Sequence, residues 1–220
     1  MSLTLYYHPL SSYCHKVLVA LYENGTAFTP HLINLGDQAD RQLLSQHWAL
    51  CKFPVLHDSA NGRSFPESSI IIEYLGSHFP GKSRLLPAAG DAALDVRLWD
   101  RIMDNHLQTP MQEIVRDRIF NTQLDLSGRR QALDTAYRLL DKQLEGREWL
   151  AGSHFSLADC AAVPALFYAN VLVPLPAELT QLNAYFERLL ARPSVQRVLE
   201  EAKPWFHLFP FADALAPRFR

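Results

Sequence analysis

A proline inside an apolar, β-type run is the feature that most restricts how this chain of 220 residues folds. The run is Phe53-Pro54-Val55-Leu56, and its alternation and β-branching predict a strand. Because proline has no N–H to donate to a sheet ladder, the run lies at a sheet edge or has a special backbone conformation. If the Phe53–Pro54 bond is cis, as roughly 5% of X-Pro bonds in folded proteins are, the backbone N–H and C=O of Phe53 turn outward toward the peptide groups of a ligand.

A strand-to-helix junction follows one hairpin downstream. Ser59-Ala60-Asn61-Gly62 is a turn signal, and the apolar residues 70–75 predict a helix that starts near Glu67-Ser68. A helix N-terminus offers unpaired N–H groups to a carboxylate, and an acidic side chain beside them suits an ammonium group. Taken alone, these residues are better explained by Ser68 as an N-cap and Glu67 as a first-turn acid. The proline strand upstream favours a site for the α-amino acid end of a ligand.

Composition narrows the class of protein. Hydrophobic residues make up 48% of the chain and charged residues 20%, with a net charge of −2, so a sizeable core is expected and nucleic acid is not an expected partner. The chain shows no signal-peptide pattern, and its three cysteines form no Cys-x-x-Cys, which favours a reduced, cytoplasmic setting and no metal site. The most apolar segment, 160–176, is interrupted by Pro164, Asn170 and Pro174, and predicts a buried helix, not a membrane span.

Local patterns predict an α/β layer followed by helices only. The elements of the first part are a strand at 3–7, a helix at 13–24, a strand at 29–35, the two strands of the proline hairpin and a helix at 68–78. This order is that of a thioredoxin-like layer. Beyond residue 90 the spacing is helical, with Thr109-Pro110 expected to kink or divide the first long helix. We therefore predict a thioredoxin-like domain at 1–82, a linker at 83–90 and an all-α domain at 91–220.

Two stretches carry a resemblance to a known family. Lys52-Phe53-Pro54-Val55-Leu56, followed by Phe65-Pro66-Glu67-Ser68-Ser69 and the apolar helix, resembles the glutathione-binding half of the cytosolic glutathione transferases. The run 152–159, Gly-Ser-His-Phe-Ser-Leu-Ala-Asp, is similar to the capping box of their helical domain, so the resemblance spans essentially the whole chain. It implies a cytosolic homodimer that binds glutathione through Lys52, the Phe53 backbone before Pro54, Glu67 and Ser68. Lys52 would meet the glycyl carboxylate.

The start of the first helix holds the candidate catalytic groups. A free thiol with a pKa of about 8.5 is only a few per cent thiolate at neutral pH, and a hydroxyl donor at a helix N-terminus lowers that pKa. In the serine-type classes (theta, delta and zeta) the serine precedes a small residue and a helix valine at the spacing that Ser11 shows here. Ser12 is the second choice. Tyr7 matches the strand tyrosine of other classes and is expected to be a wall residue.

Two residues close to Ser11, Cys14 and His15, are not expected to be catalytic. Cys14 takes the place of the second cysteine of glutaredoxin-like proteins, whose nucleophilic cysteine is here Ser11, so disulfide exchange is disfavoured. His15 is expected to be a solvated surface histidine. Two departures from the family also matter: residues 47–51 lack the usual Asn-Pro-x-Gly loop, and Tyr13 stands where a zeta-class cysteine would be, which weakens the case for a maleylacetoacetate-type isomerase.

The resemblance also implies a second-substrate surface on the helical domain. Its candidates are Met103, His106, Leu107, Met111, Trp205 and Phe206, although such a stripe at helical spacing is more often core than pocket. The implied activity is addition of the glutathione thiol to a small apolar electrophile. A glutathione- or ligand-binding protein without turnover, a glutathione-dependent isomerase and a peroxidase remain alternatives.

Overall fold

Four strands form one mixed sheet in the first part of the chain. The computed structural model describes residues 2–219, so Met1 and Arg220, the outer ends of the two predicted domains, lie outside the described residues. The strands are β1 (Leu3–Tyr7), β2 (Thr29–Leu32), β3 (Val55–Asp58) and β4 (Arg63–Pro66), in the sheet order β2-β1-β3-β4. β1 pairs with β2 in parallel, and the other two pairings are antiparallel.

The proline that opens the apolar run lies just outside the ladder. β3 is an internal strand, and it begins at Val55, one residue after Pro54. The Phe53–Pro54 peptide bond is cis. Of the two expected solutions for a proline at a strand, an edge or a special backbone, the structure has the second.

Three helices cover the sheet, and one of them corrects the predicted order. The helices are α1 (Ser12–Asn24), α2 (Gln38–His47) and α3 (Ser68–His78). Helix α2 forms in the polar segment for which the sequence predicted no element, because only Leu44 of this helix is buried and the apolar periodicity is therefore weak. Its start is fixed by Asp37, whose carboxylate accepts a hydrogen bond from the N–H of Ala39 at 2.7 Å. With α2 included, the thioredoxin-like order is confirmed.

The two faces of the sheet are packed unequally. Tyr6, Ile33, Leu44 and Val55 form a small separate core beneath α2. The opposite face carries Leu3, Leu5 and Leu56, which join α1, α3 and the helices that follow in one continuous core. The side of the sheet that meets the rest of the chain is thus the side that buries most apolar surface.

The rest of the chain, as far as the structure describes it, contains helices and no further strand. After α4 (Asp91–Ile102) comes a π-helical turn (Met103–Gln108), then α5 (Thr109–Phe120), α6 (Ser127–Gln143), α7 (Leu157–Leu172), α8 (Thr180–Leu190) and α9 (Pro193–Ala202), and a tail of short 3₁₀ turns. The expected division at Thr109-Pro110 falls where α5 begins. Helix α7 is buried along nearly its whole length and is the centre of this half. The all-helical second half is confirmed.

The predicted capping box opens α7. Both the N–H and the hydroxyl of Ser156 donate to the carboxylate of Asp159 at 2.9 Å. The same carboxylate accepts from the N–H of Leu150 at 3.1 Å and from the hydroxyl of Tyr185 at 2.7 Å. This fully buried acid is therefore satisfied by four donors, and its role is structural.

A buried lysine on α1 joins the two halves of the chain. Lys16 is completely buried, and its ammonium lies 2.6 Å from Asp100 and 2.8 Å from Asp104, both on the helical side. It also donates to the hydroxyl of Ser69 on α3 at 2.9 Å. Because charges are buried only when they are paired and hydrogen-bonded, this contact fixes how α4 sits against α1 and α3.

His15, next to Lys16, is also buried, which corrects the expectation that it is solvated. Its Nε2 lies 2.5 Å from the carbonyl oxygen of Pro9, and its ring lies against Tyr168 with centroids 5.6 Å apart. Burial lowers the pKa of His15 to about 4. The sequence pattern misplaced it because α1 is packed against several helices, α7, α3 and α9, so that polar residues also face the interior.

We expect Lys16→Met to lower the free energy of unfolding by about 3–5 kcal/mol, because two buried carboxylates lose the one fully buried cation that they share. Urea denaturation followed by circular dichroism measures this difference. Arg138→Ala is the control, since its ion pair with Asp134 is exposed and such pairs contribute about 0–1 kcal/mol. Equal losses for the two variants would contradict a dominant role of the buried pair.

A second prediction concerns the loss of stability as the pH falls. The pKa of His15 is about 4 in the folded protein and near its ordinary 6.5 in the unfolded chain, so the unfolded state takes up the proton first as the pH falls. The stability present above pH 6.5 is then lost progressively toward pH 4, by about 3 kcal/mol from this group. His15→Gln should flatten the profile of unfolding free energy against pH. His207→Gln, at an exposed histidine near another proline carbonyl, should leave it as in the unmodified protein. An unchanged slope in His15→Gln would refute the assignment.

Candidate functional site

Two adjoining cavities lie where the sheet meets the helical half. The first, called here the polar cavity, has a volume of about 330 Å³ and lies between the start of β3, the start of α3 and the end of α4. The second, called the apolar cavity, has a volume of about 370 Å³ and lies between the start of α1, helix α5 and the tail. Phe53 and Gln112 line both, so the two cavities share a wall.

All five residues predicted to bind glutathione line the polar cavity. They come from two separate segments, Lys52, Phe53 and Pro54 from the approach to β3, and Glu67 and Ser68 from the junction of β4 and α3. The antiparallel pairing of Val55 with Pro66 brings these segments side by side. The register of the hairpin therefore assembles residues that are more than ten positions apart in the sequence.

The junction at Glu67 has an unusual backbone. Glu67 has φ 68° and ψ 112°, a conformation that costs an ordinary residue on the order of 1 kcal/mol. It is the residue that precedes α3, and within the described residues no side chain caps this helix. The first-turn N–H groups of α3 are therefore without a side-chain acceptor, and the two residues at this end of the helix, Glu67 and Ser68, line the polar cavity. A helix N-terminus of this kind suits an anionic group.

Ser11 and Ser12 both line the apolar cavity. Ser11 is the N-cap of α1, and its hydroxyl oxygen accepts a hydrogen bond from the N–H of Cys14 at 3.3 Å. This arrangement leaves the hydroxyl proton free to donate to a group in the cavity. The hydroxyl of Ser12 accepts a hydrogen bond from Nε2 of Gln112 at 3.3 Å. The structure thus brings both candidate serines to the cavity that adjoins the predicted glutathione site.

Tyr7 and Cys14, unlike the two serines, do not line either cavity. Tyr7 was expected to be a wall residue of the site, but it packs against the main core, where burial raises the pKa of its hydroxyl. Cys14 is fully buried, which raises the pKa of its thiol to about 12. A buried, protonated thiol is a poor nucleophile, in keeping with a site that does not run on disulfide exchange.

Of the six second-substrate candidates, one lines the apolar cavity. Met111 lines it, whereas Met103 and Leu107 are completely buried in the core, and Phe206 is stacked on Phe167 at 5.9 Å. The π-helical turn presses Met103 and Leu107 against α7, so their stripe is core and not pocket.

Two further candidates lie elsewhere. His106 faces a different groove, between α5 and α6. Trp205 lies beside His8, with ring centroids 5.4 Å apart, and is not part of the cavity wall. The wall is instead supplied by residues that the sequence did not single out, namely Val115, Arg116, Ile119, Leu208, Phe209 and Pro210. The spacing of Met111, Val115 and Ile119, four residues apart along α5, was the signal available in the sequence.

Sequence reasoning also missed two charged residues of the polar cavity. Arg101 and Asp104 line it from the helical half. Burial raises the pKa of the Asp104 carboxyl. Charged residues at 100, 101 and 104, at the end of α4 and in the turn after it, were the only local sign of this cluster.

Residues 2–219 contain neither a cluster of metal-ligating side chains nor a membrane-spanning helix. No group of three or more histidine, cysteine, aspartate or glutamate side chains is arranged to hold a metal ion in that range. Within the same range, no helix has the length and apolar character needed to cross a membrane.

Comparisons with known proteins agree with the architecture. One curated relative, a glutathione S-transferase-like protein (LUC7) of Fusarium, is 30% identical over 125 residues, which cover 54% of this chain and 57% of that protein. Another, the stringent starvation protein A homolog of Coxiella burnetii, is 26% identical over 204 residues, which cover 91% and 93% of the two chains.

A solved glutathione S-transferase of Methylobacillus flagellatus, crystallised with GSH bound, has the same fold, with a TM-score of 0.77 and 24% identity over 90% of this chain and 98% of that one. The family model for the N-terminal domain of glutathione S-transferases matches residues 5–83, and that for their C-terminal domain matches residues 102–193. These two matches cover more than half of the chain, which therefore belongs to the glutathione S-transferase family.

Proposed function

We propose that this protein is a glutathione transferase, which binds glutathione in the polar cavity and adds its thiol to a small apolar electrophile in the adjoining one. The observation that carries the proposal is the shared wall: Ser11 lines the apolar cavity together with Phe53 and Gln112, which line both. A peptide in the polar cavity thus has its thiol near both the hydroxyl of Ser11 and the second cavity.

The polar cavity offers groups for each part of the tripeptide. Lys52 binds the glycyl carboxylate, and the backbone of Phe53 pairs with the cysteinyl residue. Glu67 receives the γ-glutamyl ammonium group, while the start of α3 at Ser68 receives the neighbouring carboxylate. Support comes from the fact that these residues line a single cavity, and from the solved relative that was crystallised with GSH bound.

Ser11 activates the thiol in this proposal. A hydroxyl that donates to the sulfur stabilises the thiolate, and the N-terminus of α1 adds a favourable dipole. A lowering of the thiol pKa by about one unit corresponds to 1.4 kcal/mol and raises the thiolate fraction at neutral pH nearly tenfold. Ser12 is the second candidate, although its hydroxyl already accepts from Gln112.

A glutathione- or ligand-binding protein without turnover is the second candidate function. It is favoured by one observation, the similarity over 204 residues to a protein whose name is not that of a transferase. Conjugation measured over a panel of halogenated aromatics, epoxides and enones, beside the affinity for glutathione, separates the two. Tight binding without turnover above the uncatalysed rate would favour the carrier. Isomerisation and peroxide reduction use the same thiolate, and belong in the same panel.

The wider setting of the protein is also part of the proposal. We place it in the cytoplasm, where its free cysteines Cys14, Cys51 and Cys160 remain reduced. The glutathione-binding domain comprises residues 1–82, and the linker 83–90 leads to the helical domain 91–220. The linker falls between the end of α3 at His78 and the start of α4 at Asp91.

Removing the Ser11 hydroxyl tests the catalytic assignment. In Ser11→Ala, the ultraviolet absorbance of enzyme-bound thiolate, followed by stopped flow near neutral pH, should fall about tenfold, because the thiol returns toward its ordinary pKa. Glutathione affinity should change little. Ser127→Ala, at an exposed serine that starts α6, is the control and should behave like the unmodified protein. Full retention of thiolate in Ser11→Ala, with loss in Ser12→Ala, would transfer the role to Ser12.

A homodimer is the proposed assembly. Leu94 and Leu98 on α4 and Ile70 on α3 are more than half exposed, and they flank the Glu73–Arg97 ion pair that joins the two helices. We expect sedimentation velocity to give a dimer at micromolar concentration and Leu98→Asp to shift it toward monomer, because a charge on an apolar contact is costly to bury. Leu139→Asp, at an exposed leucine on α6, is the comparison variant. A stable monomer of the unmodified protein would contradict the assembly.

A further inference from the structure

Four charged side chains form a cluster on the helical side of the polar cavity. Lys16 comes from α1, and Asp100, Arg101 and Asp104 come from the end of α4 and the turn after it. Lys16 and both aspartates are almost completely buried, whereas the side chain of Arg101 is 49% exposed. Arg101 is thus the member of the cluster that presents its charge to the cavity.

The guanidinium of Arg101 is held on one edge only. Its Nε and Nη2 donate to the carboxylate of Asp100 at 3.1 and 2.8 Å, and Nη2 also contacts Asp104 and Ser69. Within residues 2–219, Nη1 donates no hydrogen bond. A planar fork fixed in this way keeps donors in place for a further acceptor, so little side-chain freedom is lost when a ligand binds.

The acids around Arg101 are shared. Asp100 and Asp104 also contact the ammonium of Lys16, at 2.6 and 2.8 Å. Each of the two carboxylates therefore pairs with both cations. The fully buried Lys16 needs both acids to compensate its charge. The half-exposed Arg101 keeps the capacity to interact with an additional anion from the cavity side.

The charges of the polar cavity match those of glutathione. Its wall carries two cationic side chains, Lys52 and Arg101, and two acids, Glu67 and Asp104. Asp104 is paired with the buried Lys16, which leaves two cations and one acid for a tripeptide with two carboxylates and one ammonium group. With Lys52 assigned to the glycyl end, Arg101 remains for the other end, beside Glu67 and the uncapped start of α3. We propose that Arg101 binds the α-carboxylate of the γ-glutamyl residue, so that the helical half supplies a specificity-determining contact to the peptide. This inference rests on the proposed function and extends it.

Calorimetric titration with a matched pair of peptides tests the contact. The probes are glutathione and γ-aminobutyryl-cysteinylglycine, which lacks only the α-carboxylate. The unmodified protein should bind glutathione about tenfold more tightly than the analogue, as expected for a charge-assisted hydrogen bond. In Arg101→Gln this ratio should fall to about twofold, the part that the start of α3 contributes, because the affinity for glutathione drops while that for the analogue stays constant.

Two further variants complete the test. Arg97→Gln removes another arginine of α4, one that pairs with Glu73 and does not line the polar cavity, and it should keep the tenfold ratio. Arg101→Lys keeps the charge of the cluster without the fork, and should lower the ratio to about threefold. It also provides the measurement if Arg101→Gln fails to fold.

The outcomes separate this inference from the proposed function. If Arg101→Gln keeps the affinity ratio of the unmodified protein, the assignment is overturned. It is also overturned if the variant loses the same factor of affinity for both peptides, because such a loss indicates a structural role only. Equal binding of both peptides by the unmodified protein would overturn the inference and leave glutathione binding intact. Binding of neither peptide by the unmodified protein would overturn the proposed function itself.

Discussion

The placement of one buried charge determines how the halves of this protein meet. Lys16 lies on α1 with no access to solvent, and a lysine in such a position stays charged only if anions and hydrogen-bond acceptors surround it. The sheet half supplies a single hydroxyl, Ser69, and the helical half supplies both carboxylates. Neither half satisfies the lysine alone. The arrangement of α4 against α1 and α3 is consequently specified by electrostatics as well as by the apolar core, and the polar cavity lies at this junction.

The walls of the two cavities are built from different kinds of structure. The polar cavity is built from strand and helix ends whose positions follow from the register of β3 and β4. The apolar cavity is walled by one face of α5 and by residues 208–210 of the tail. Backbone pairing fixes the first, whereas side-chain packing alone shapes the second. In a family whose members share a fold, recognition of the common peptide and variation of the second substrate would thus fall to different kinds of structure.

The parts of the site that could be predicted from sequence are those whose information is local. The segments Phe53-Pro54 and Glu67-Ser68 are short, each contains its own backbone or helix signal, and both line one cavity. Lys52, which lines the same cavity, was added by the family resemblance. Helix α2 was not predictable by periodicity, because it buries one leucine. His15 and Arg101 were missed for another reason: their surroundings include segments far away in the chain. The neighbouring residues gave no sign for His15 and only a run of charged residues for Arg101. For Met103 and Leu107 the sequence left core and pocket open, and their burial against α7 selects the core alternative.

The wall shared by the two cavities has a thermodynamic consequence. Phe53 and Gln112 contact whatever occupies either side, so a ligand that shifts or immobilises these residues changes the free energy of binding on the other side. Such a change is reciprocal: the factor by which the first ligand alters the affinity for the second equals the factor in the opposite direction. Two ligands that never touch would therefore bind with linked affinities, and the order in which they enter would affect rates but not the final equilibrium.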